Sequence, residues 1–209
     1  MSIIALAGRM GSGKNTVGDI IEKLCLTNNG PKFEQKAFAG KLKQIASLLT
    51  GIPVEDFEDQ EFKKTNLGQE WARPFYDKNS NVHYETITVR KFLQLLGTES
   101  MRIGLHTNVW VNALFADYKG PKLSEYDPSN WIITDVRFPN ELEAIVERKG
   151  ITIRVHRDIH DGKARISKNP HVSETAIDDA KFDYEIMNDG SIEDLIKKVR
   201  IILITEKII

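Results

Sequence analysis

One stretch near the start of the chain constrains its fold more than any other: residues 8–16, Gly-Arg-Met-Gly-Ser-Gly-Lys-Asn-Thr. The apolar run at residues 3–7 precedes it, and residues 17–26 follow with the apolar spacing of a helix. One face of that helix would carry Val17, Ile20, Ile21, Leu24 and Cys25. Strand, glycine-rich loop and helix in this order are the setting of a phosphate-binding loop. Glycines let backbone N–H groups turn inward, and the start of a helix adds unpaired N–H groups and a positive dipole end.

The loop departs at one position from the strict pattern G-x-x-x-x-G-K-[ST]. Asn15 follows the lysine and Thr16 comes one residue later, so the hydroxyl that usually contacts Mg²⁺ is missing at its usual position. This resembles adenylate-kinase-type nucleoside monophosphate kinases, in which the metal is held largely through water and the threonine serves the phosphates. The alternative without a phosphate-binding role is a glycine-rich turn that happens to contain a lysine. The predicted ATP contacts are Gly11, Ser12, Gly13, Lys14, Asn15 and Thr16, with Lys14 supplying charge to the β- and γ-phosphates.

Composition limits the classes of partner. The 209 residues suffice for one domain, and 41% hydrophobic with 28% charged residues is ordinary for a globular protein. A net charge of -1 predicts neither nucleic acid nor an anionic membrane as partner. One cysteine, Cys25, fits a reducing cytosol, and no apolar run is long enough to predict a signal peptide or a membrane span.

Strand patterns alternate with helical patterns along the chain. Strands are predicted at residues 3–7, 33–39, 130–134, 151–155 and 184–187. Helices are predicted at residues 17–26, 40–49, 88–96 (closed by Gly97), 109–118, 139–148 and 192–204. Residues 56–84 are predicted to be an irregular polar connection. This alternation predicts an α/β fold whose mainly parallel sheet binds ligands beyond the carboxyl ends of its strands.

Two charged residues follow the third predicted strand. Asp135 lies where a carboxylate can face the Mg²⁺ of a bound nucleotide. Arg137 lies two residues further on, and its planar guanidinium suits a bidentate phosphate contact. Other roles stay open, because Asp135 could cap the following helix and Arg137 could form a surface ion pair with Glu141 or Glu143.

Further cations could meet an acceptor phosphate or could be solvated charges. Lys41 and Lys43 open the second predicted helix, and Arg90 opens the third. Between the fourth and fifth strands, the basic segment 154–168 is expected to close as a lid over the phosphates, the alternative being a solvated loop. Its five basic residues are Arg154, Arg157, Lys163, Arg165 and Lys168.

Histidine and tryptophan invite two more interpretations. His156 and His160 lack the glutamate of H-E-x-x-H, so a zinc site is not expected there. Trp110 could stack on a base, but its place on an apolar helical face favours core packing.

Several stretches together resemble the bacteriophage deoxynucleoside monophosphate kinases. The most particular are residues 97–99, Gly-Thr-Glu, and residues 135–141, Asp-Val-Arg-Phe-Pro-Asn-Glu. The others are residues 11–16, 38–43, 89–96, 109–111, 171–174 and 188–191, so the resemblance runs from end to end of the chain.

The resemblance implies a three-layer α/β/α phosphate-loop kinase fold with about five mainly parallel strands. It implies ATP with Mg²⁺, and transfer of the γ-phosphoryl group to a deoxynucleoside monophosphate (dNMP) to give dNDP and ADP. Residues 1–209 would form one kinase domain with a phosphate loop at 8–16, an acceptor-binding insert at about 40–118 and a lid at about 157–173. Small-molecule nucleotides as partners, a homodimer and a cytoplasmic location (that of the host if the chain is phage-encoded) are also expected.

The same resemblance assigns roles to individual residues. The expected catalytic residues are Lys14, Asp135, Arg137 and Arg157, with Asp135 holding the metal through water. The expected dNMP contacts are Arg9, Lys43, Lys64, Arg90, Gly97, Thr98, Trp110 and Arg137. The expected lid residues are Arg157, Lys163 and Arg165. Residues 56–84 match the family least, and the role of Lys64 depends on them.

Two other classes of protein stay open. A related small-molecule kinase, such as one resembling dephospho-coenzyme A kinase, would share the fold and the loop. A regulatory NTPase would share only the loop, and the missing Asn-Lys-x-Asp motif weakens that interpretation.

Overall fold

The computed structural model describes residues 2–118, 129–157, 172 and 175–209. The chain divides into two units, one made of Met1–Phe38 with Leu114–Ile209 and the other of Ala39–Ala113. The second unit covers most of the stretch predicted to bind the acceptor. That role, and the division into loop, insert and lid, stay predictions.

The regular elements alternate between strand and helix. In chain order they are β1 (Ile3–Ala7), α1 (Lys14–Thr27), β2 (Glu34–Lys36), α2 (Phe38–Thr50), β3 (Arg73–Tyr76), β4 (Val82–Glu85), α3 (Val89–Gln94), α4 (Val109–Phe115), β5 (Trp131–Val136), α5 (Pro139–Glu147), β6 (Ile151–His156), β7 (Tyr184–Met187) and α6 (Ile192–Thr205). Short 3-10 helices lie at Val54–Glu58, Phe62–Lys64 and Gln69–Trp71, and α3 continues as a π-helix at Leu95–Ile103.

The first unit is built on a five-stranded sheet in the order β2-β5-β1-β6-β7, with every neighbouring pair parallel. Apolar β1 lies in the centre, where both faces of a parallel sheet must be covered. The predicted parallel α/β sheet is confirmed, and β7 coincides with its predicted range.

Helices cover one face of this sheet through side chains that alternate along the strands. Ile4 and Leu6 of β1 belong to a buried cluster with Val17, Ile21 and Leu203, contributed by α1 and α6. Because successive strand residues point to opposite faces, Ile3 and Ala5 face the other way. α1 and α6 therefore form one outer layer.

The opposite face is covered by α5 and an aromatic group. α5 contacts β1 and β6. Trp131 of β5, the register partner of Ile3, stacks on Phe115 with ring centroids 6.1 Å apart. The Arg148 guanidinium lies 4.0 Å from the centroid of Phe115. The sheet between two helical layers confirms the predicted three-layer α/β/α fold.

The second unit has its own small core. Phe57, Leu67 and Phe92 are buried together. Trp71 meets Phe92 edge-on, with ring centroids 5.0 Å apart. Residues 56–84 are more regular than predicted, because β3 and β4 pair as an antiparallel hairpin. All the residues of its two strands are exposed, so no buried face signalled the hairpin in the sequence.

The second strand is shorter than predicted. Residues 33–39 were expected as one strand, but β2 ends at Lys36 and Phe38 already opens α2. The Phe38 N–H donates to a carboxylate oxygen of Asp135 at 2.8 Å, and its ring packs edge-on against Phe115. A contact distant in sequence therefore sets this boundary.

The prediction that Gly97 ends the third helix is wrong. The helix continues as a π-helix to Ile103, and Gly97 is buried within it. A Cβ on Gly97 would lie 2.9 Å from Cδ2 of Leu42. This glycine permits close packing instead of a helix stop. The following helix was predicted to reach residue 118 but ends at Phe115.

Within the described residues, no helix is both long and apolar enough to cross a membrane.

Two leucines of α1 test the amphipathic prediction directly. Leu24 is 6% exposed in the core, whereas Leu26 is 81% exposed on the same helix. Leu24→Ala should lower the free energy of unfolding by about 2–5 kcal/mol, because it leaves a cavity. Leu26→Ala should change it by no more than about 0.5 kcal/mol. Urea denaturation followed by circular dichroism measures both, and equal losses would contradict the core assignment.

Candidate active site

The loop between β1 and α1 depends on glycines. Gly8, Gly11 and Gly13 have φ angles of 144°, 80° and 99°, which residues with side chains rarely adopt. A Cβ on Gly8 would lie 2.3 Å from the carbonyl oxygen of Val155 at the end of β6. α1 begins directly after Gly13, so its first N–H groups have no partner within the helix and suit an anion. The geometry is that of an anion-binding loop.

The remaining predicted residues of the loop differ in exposure. Ser12 is 4% exposed, and its Oγ has no hydrogen-bond partner among the described residues. Asn15 and Thr16 are exposed in the first turn of α1. A direct nucleotide contact by any of them stays a prediction.

Lys14 folds back onto its own loop. Its Nζ donates to the carbonyl oxygens of Gly8 and Arg9, each at 2.8 Å. Its pKa is lowered from 10.5 to about 8, chiefly by burial and then by the positive charge of Arg137, while the charge of Asp135 raises it. Lys14 therefore holds its charge weakly, in a place where an anion would stabilise it.

Asp135 lies inside β5, whereas the sequence had placed it in the turn after the strand. The pairing of β1 with β5 shifts register between Ala5 and Ala7, so Thr134 and Asp135 together lie opposite Leu6. Such a bulge redirects side chains. The Asp135 carboxylate accepts the N–H of Phe38 at the start of α2, whereas the N-cap position of α5 is occupied by Phe138.

The turn that carries Arg137 is held by a buried glutamate. Glu141 is 2% exposed, and its carboxylate accepts the backbone N–H groups of Arg137 at 2.8 Å and Phe138 at 3.2 Å. The Arg137 side chain is exposed, and its charge acts on Lys14. Lys14, Asp135 and Arg137, predicted as one catalytic group, therefore lie within electrostatic reach of one another.

Two arginines near the loop have different surroundings. Arg9 is exposed, with its guanidinium 3.4 Å from the Asp178 carboxylate. Arg154, the first of the five basic residues of the segment 154–168, lies in β6, within the strand predicted at residues 151–155, and donates to the carbonyl oxygens of Ile177 and Asp178. It therefore anchors the segment before β7.

The predicted lid, about 157–173, can be followed only at its margin. Arg157 is exposed directly after β6. The lid residues Lys163 and Arg165 lie outside the described residues, as do Lys168, His160 and His171.

Three predicted acceptor contacts of the second unit already have partners there. Lys43 forms an ion pair with Glu58, and its side chain is 13% exposed. Lys64 Nζ lies 2.5 Å from a Glu61 oxygen in an exposed pair. Arg90 donates to Gln60 Oε1 at 3.0 Å. A bound phosphate would have to compete with these partners.

Three other predicted contacts of this unit are buried. Trp110 is 5% exposed, and its Nε1 donates to the carbonyl oxygen of Gly97 at 2.8 Å. Thr98 is 9% exposed. The burial of the indole favours a packing role for Trp110, as the residue pattern had suggested, and its contact with dNMP stays a prediction.

Asn188 was given no role at the sequence level, yet it contacts the phosphate loop. Its Nδ2 donates to the carbonyl oxygen of Ser12 at 2.9 Å. A Cβ on Gly13 would lie 2.4 Å from that nitrogen. Two signals in the sequence pointed to it: its place directly after the fifth strand, at the edge where ligands of such sheets bind, and its position in the family-like stretch 188–191.

The described part of the chain contains no metal site formed by protein side chains alone. No group of three or more His, Cys, Asp or Glu there could hold a metal ion. His156 Nε2 instead lies 3.3 Å from the Glu185 carboxylate. One carboxylate with waters and substrate phosphates is the usual arrangement for Mg²⁺, and Asp135 could supply that carboxylate.

Comparison with known proteins identifies the family of the chain. The deoxynucleotide monophosphate kinase family matches residues 57–199, more than half of the chain. The chain is 27% identical to the deoxynucleoside-5'-monophosphate kinase of Escherichia phage T5 over 228 aligned residues, covering 89% of each chain. It is 29% identical to the deoxynucleotide monophosphate kinase of Enterobacteria phage T4 over 113 residues, covering 54% of this chain and 44% of that one.

This protein belongs to the deoxynucleotide monophosphate kinase family. Among solved structures, it aligns with the dephospho-CoA kinase of Campylobacter jejuni at a TM-score of 0.44 and 14% identity, covering 98% of this chain and 96% of that one. That likeness does not bear on the substrate.

The lowered pKa of Lys14 predicts pH-dependent binding of ATP, its expected ligand. In the free protein the ammonium loses its proton as pH rises through about 8. Bound phosphates favour the ammonium and raise its pKa, so binding takes up a proton above pH 8 and affinity falls as pH rises. The dissociation constant should increase roughly 10- to 30-fold between about pH 7.5 and 9.5.

Calorimetry in two buffers of different ionisation enthalpy measures both the affinity and the proton uptake. Lys14→Arg is the matched control, because a guanidinium stays charged throughout this range. A wild-type affinity that stays constant across the range would contradict the assignment.

Proposed function

We propose that this protein transfers the γ-phosphoryl group of ATP, with Mg²⁺, to a dNMP and releases dNDP and ADP. One observation carries the proposal: Lys14 lies in an anion-binding loop within electrostatic reach of both Asp135 and Arg137. Phosphoryl transfer needs little covalent chemistry from the protein and depends on positioning and on cations around the phosphates. Membership of the family supports a dNMP as the acceptor.

The loop fits the phosphate chain of ATP. The N–H groups around Gly11 and Gly13 and at the start of α1 would hold the phosphate oxygens. Ser12 Oγ, which is buried and has no hydrogen-bond partner in the described part of the chain, is a polar group that such a ligand could satisfy. Lys14 would exchange the carbonyl oxygens of Gly8 and Arg9 for phosphate oxygens.

Asp135 fits Mg²⁺ through a water molecule. Asn15 offers no hydroxyl to the metal, and Thr16 lies one residue further along α1. Mg²⁺ keeps several waters and is bound through one or two carboxylates and the substrate phosphates. When bound, the metal neutralises charge that develops on the phosphates. In this chain Asp135 would orient the water, while Lys14 and Arg137 balance the remaining charge.

The acceptor would be recognised by cations and positioned by buried groups. We assign Arg9, Lys43, Lys64, Arg90 and Arg137 to phosphate or nucleotide contacts. Gly97, Thr98 and Trp110 would shape the dNMP site, with the indole holding the Gly97 carbonyl. Arg157, with Lys163 and Arg165, would supply lid cations. Small-molecule nucleotides in the cytoplasm, that of the host if the chain is phage-encoded, are the proposed partners, and a homodimer is the proposed assembly.

A coupled assay of ADP release tests the reaction and the role of Lys14. With ATP-Mg²⁺, each dNMP and NMP should be compared with dephospho-coenzyme A. Only nucleotide acceptors should stimulate release, and ADP release without an acceptor would indicate a regulatory NTPase. Lys14→Ala should lower kcat roughly 100-fold or more, because it removes a preorganised charge.

Lys23→Ala is the matched control for Lys14→Ala, since Lys23 is an exposed lysine of the same helix. It should keep normal kcat. Near-normal kcat in Lys14→Ala, with the fold checked by circular dichroism, would contradict the proposed role of the loop.

Arg137→Lys tests whether a planar guanidinium grips the acceptor phosphate. Loss of a charged, bidentate contact should raise the dNMP KM and lower kcat, reducing kcat/KM roughly 10- to 150-fold, with the Kd of ATP nearly unchanged. Arg90→Lys should behave in the same way. Steady-state kinetics with dNMP give kcat/KM, and calorimetry gives the Kd of ATP.

Arg200→Lys, a change at an exposed position of α6, provides the control for both arginine variants. If ATP binding collapses while the dNMP KM is kept, Arg137 or Arg90 belongs to the donor site instead.

A further inference from the structure

We propose that Asn188 is a positioning residue for the phosphate loop: through its hydrogen bond to Ser12, it fixes the direction of the peptide group that leads into α1. This inference rests on the proposed function, because it assigns the loop to ATP. It concerns a residue just after β7 that lies 176 positions from Ser12 in the sequence.

The backbone of Asn188 is fixed by the sheet. Its N–H donates to the carbonyl oxygen of His156, the last residue of β6, at 2.7 Å. This bond extends the parallel pairing of β6 with β7, which reaches His156 and Met187. The side chain of Asn188 therefore starts from a rigid point at the carboxyl edge of the sheet.

From that point the side chain reaches the loop. Nδ2 donates to the Ser12 carbonyl oxygen at 2.9 Å. A peptide group is planar and trans, so its C=O and the next N–H point in opposite directions. Holding the Ser12 carbonyl toward Asn188 turns the Gly13 N–H away from Asn188. That N–H immediately precedes the unpaired N–H groups at the start of α1.

Gly13 also leaves the room that Asn188 occupies. A Cβ on Gly13 would lie 2.4 Å from Nδ2 of Asn188, and the φ of 99° already disfavours a side chain there. On the other side of the loop, a Cβ on Gly8 would meet the carbonyl oxygen of Val155. The loop thus packs against the carboxyl ends of β6 and β7, and Asn188 adds a directional hydrogen bond to this contact.

Binding measurements with and without the base of the nucleotide separate positioning from base recognition. Asn188→Ala and the similarly sized Asn188→Leu remove the donor. At a fixed pH, the Kd values of ATP and of inorganic tripolyphosphate should rise together by roughly 3- to 10-fold in these variants. The KM for dNMP should stay within about twofold, since Asn188 holds Ser12, an assigned ATP contact, and Arg9 is the only loop residue assigned to the acceptor.

Asp189→Ala is the control, because Asp189 is in the same segment but pairs with Lys198. It should leave all three constants unchanged. Circular dichroism and thermal unfolding show which variants fold. If only one of the two Asn188 variants folds, its binding constants alone test the proposal. Weaker binding of ATP with unchanged tripolyphosphate binding would overturn the proposal in favour of a base contact. Unchanged binding of both, or an equal loss in Asp189→Ala, would also overturn it.

A double substitution tests the contact itself. Gly13→Ala should displace the Asn188 amide, so its effect and that of Asn188→Ala overlap. The loss of tripolyphosphate affinity in the double variant should be smaller than the product of the two single losses. Independent, multiplicative losses would contradict the proposal. If wild-type protein binds ATP but transfers no phosphoryl group, the proposed kinase function fails while the binding result still decides the role of Asn188.

Discussion

The seating of the phosphate loop on the sheet is the constraint on which the rest of the site depends. Gly8 lies so close to the end of β6 that a side chain would meet the carbonyl oxygen of Val155. Gly13 gives the same close approach to Asn188. Because interiors are closely packed, these positions cannot shift independently of β6 and β7. α1 therefore begins at a defined point, and the N–H groups of its first turn have a defined direction.

Periodic features of the chain could be predicted from the sequence because their causes are local. The alternation of apolar strands with amphipathic helices gave the parallel sheet, and α1 buries Val17, Ile20, Ile21, Leu24 and Cys25 as expected. The loop was recognisable because glycine spacing, lysine and helix start are contiguous. Ser191 at the start of α6 accepts the N–H of Asp194, which is also a local signal.

Features that depend on distant contacts were missed. Asp135 lies in a β-bulge because the register between β5 and β1 shifts at this point. Gly97 stays helical because Leu42 packs against it and Trp110 binds its carbonyl. Asn188 meets Ser12 only after the sheet has formed. None of these partners is near in sequence, so neither periodicity nor local propensity could identify them.

Charge in the site is arranged for a ligand rather than for the free protein. Burial disfavours the charge of Lys14, repulsion from Arg137 adds to this, and Asp135 offsets only part of the cost, so the pKa of Lys14 is lowered. In the second unit Lys64 forms an exposed ion pair, a kind that contributes about 0–1 kcal/mol, and Arg90 donates to the exposed amide of Gln60, a bond that contributes about 0.5–1.5 kcal/mol net. A dianionic phosphate can therefore replace those partners at little cost. Lys43 differs, since its side chain is largely buried beside Glu58. Glu58 itself is 66% exposed, so water can solvate its carboxylate when a phosphate draws Lys43 away. The cost of that exchange therefore lies mainly in moving the buried lysine, and only a strongly anionic ligand can offset it.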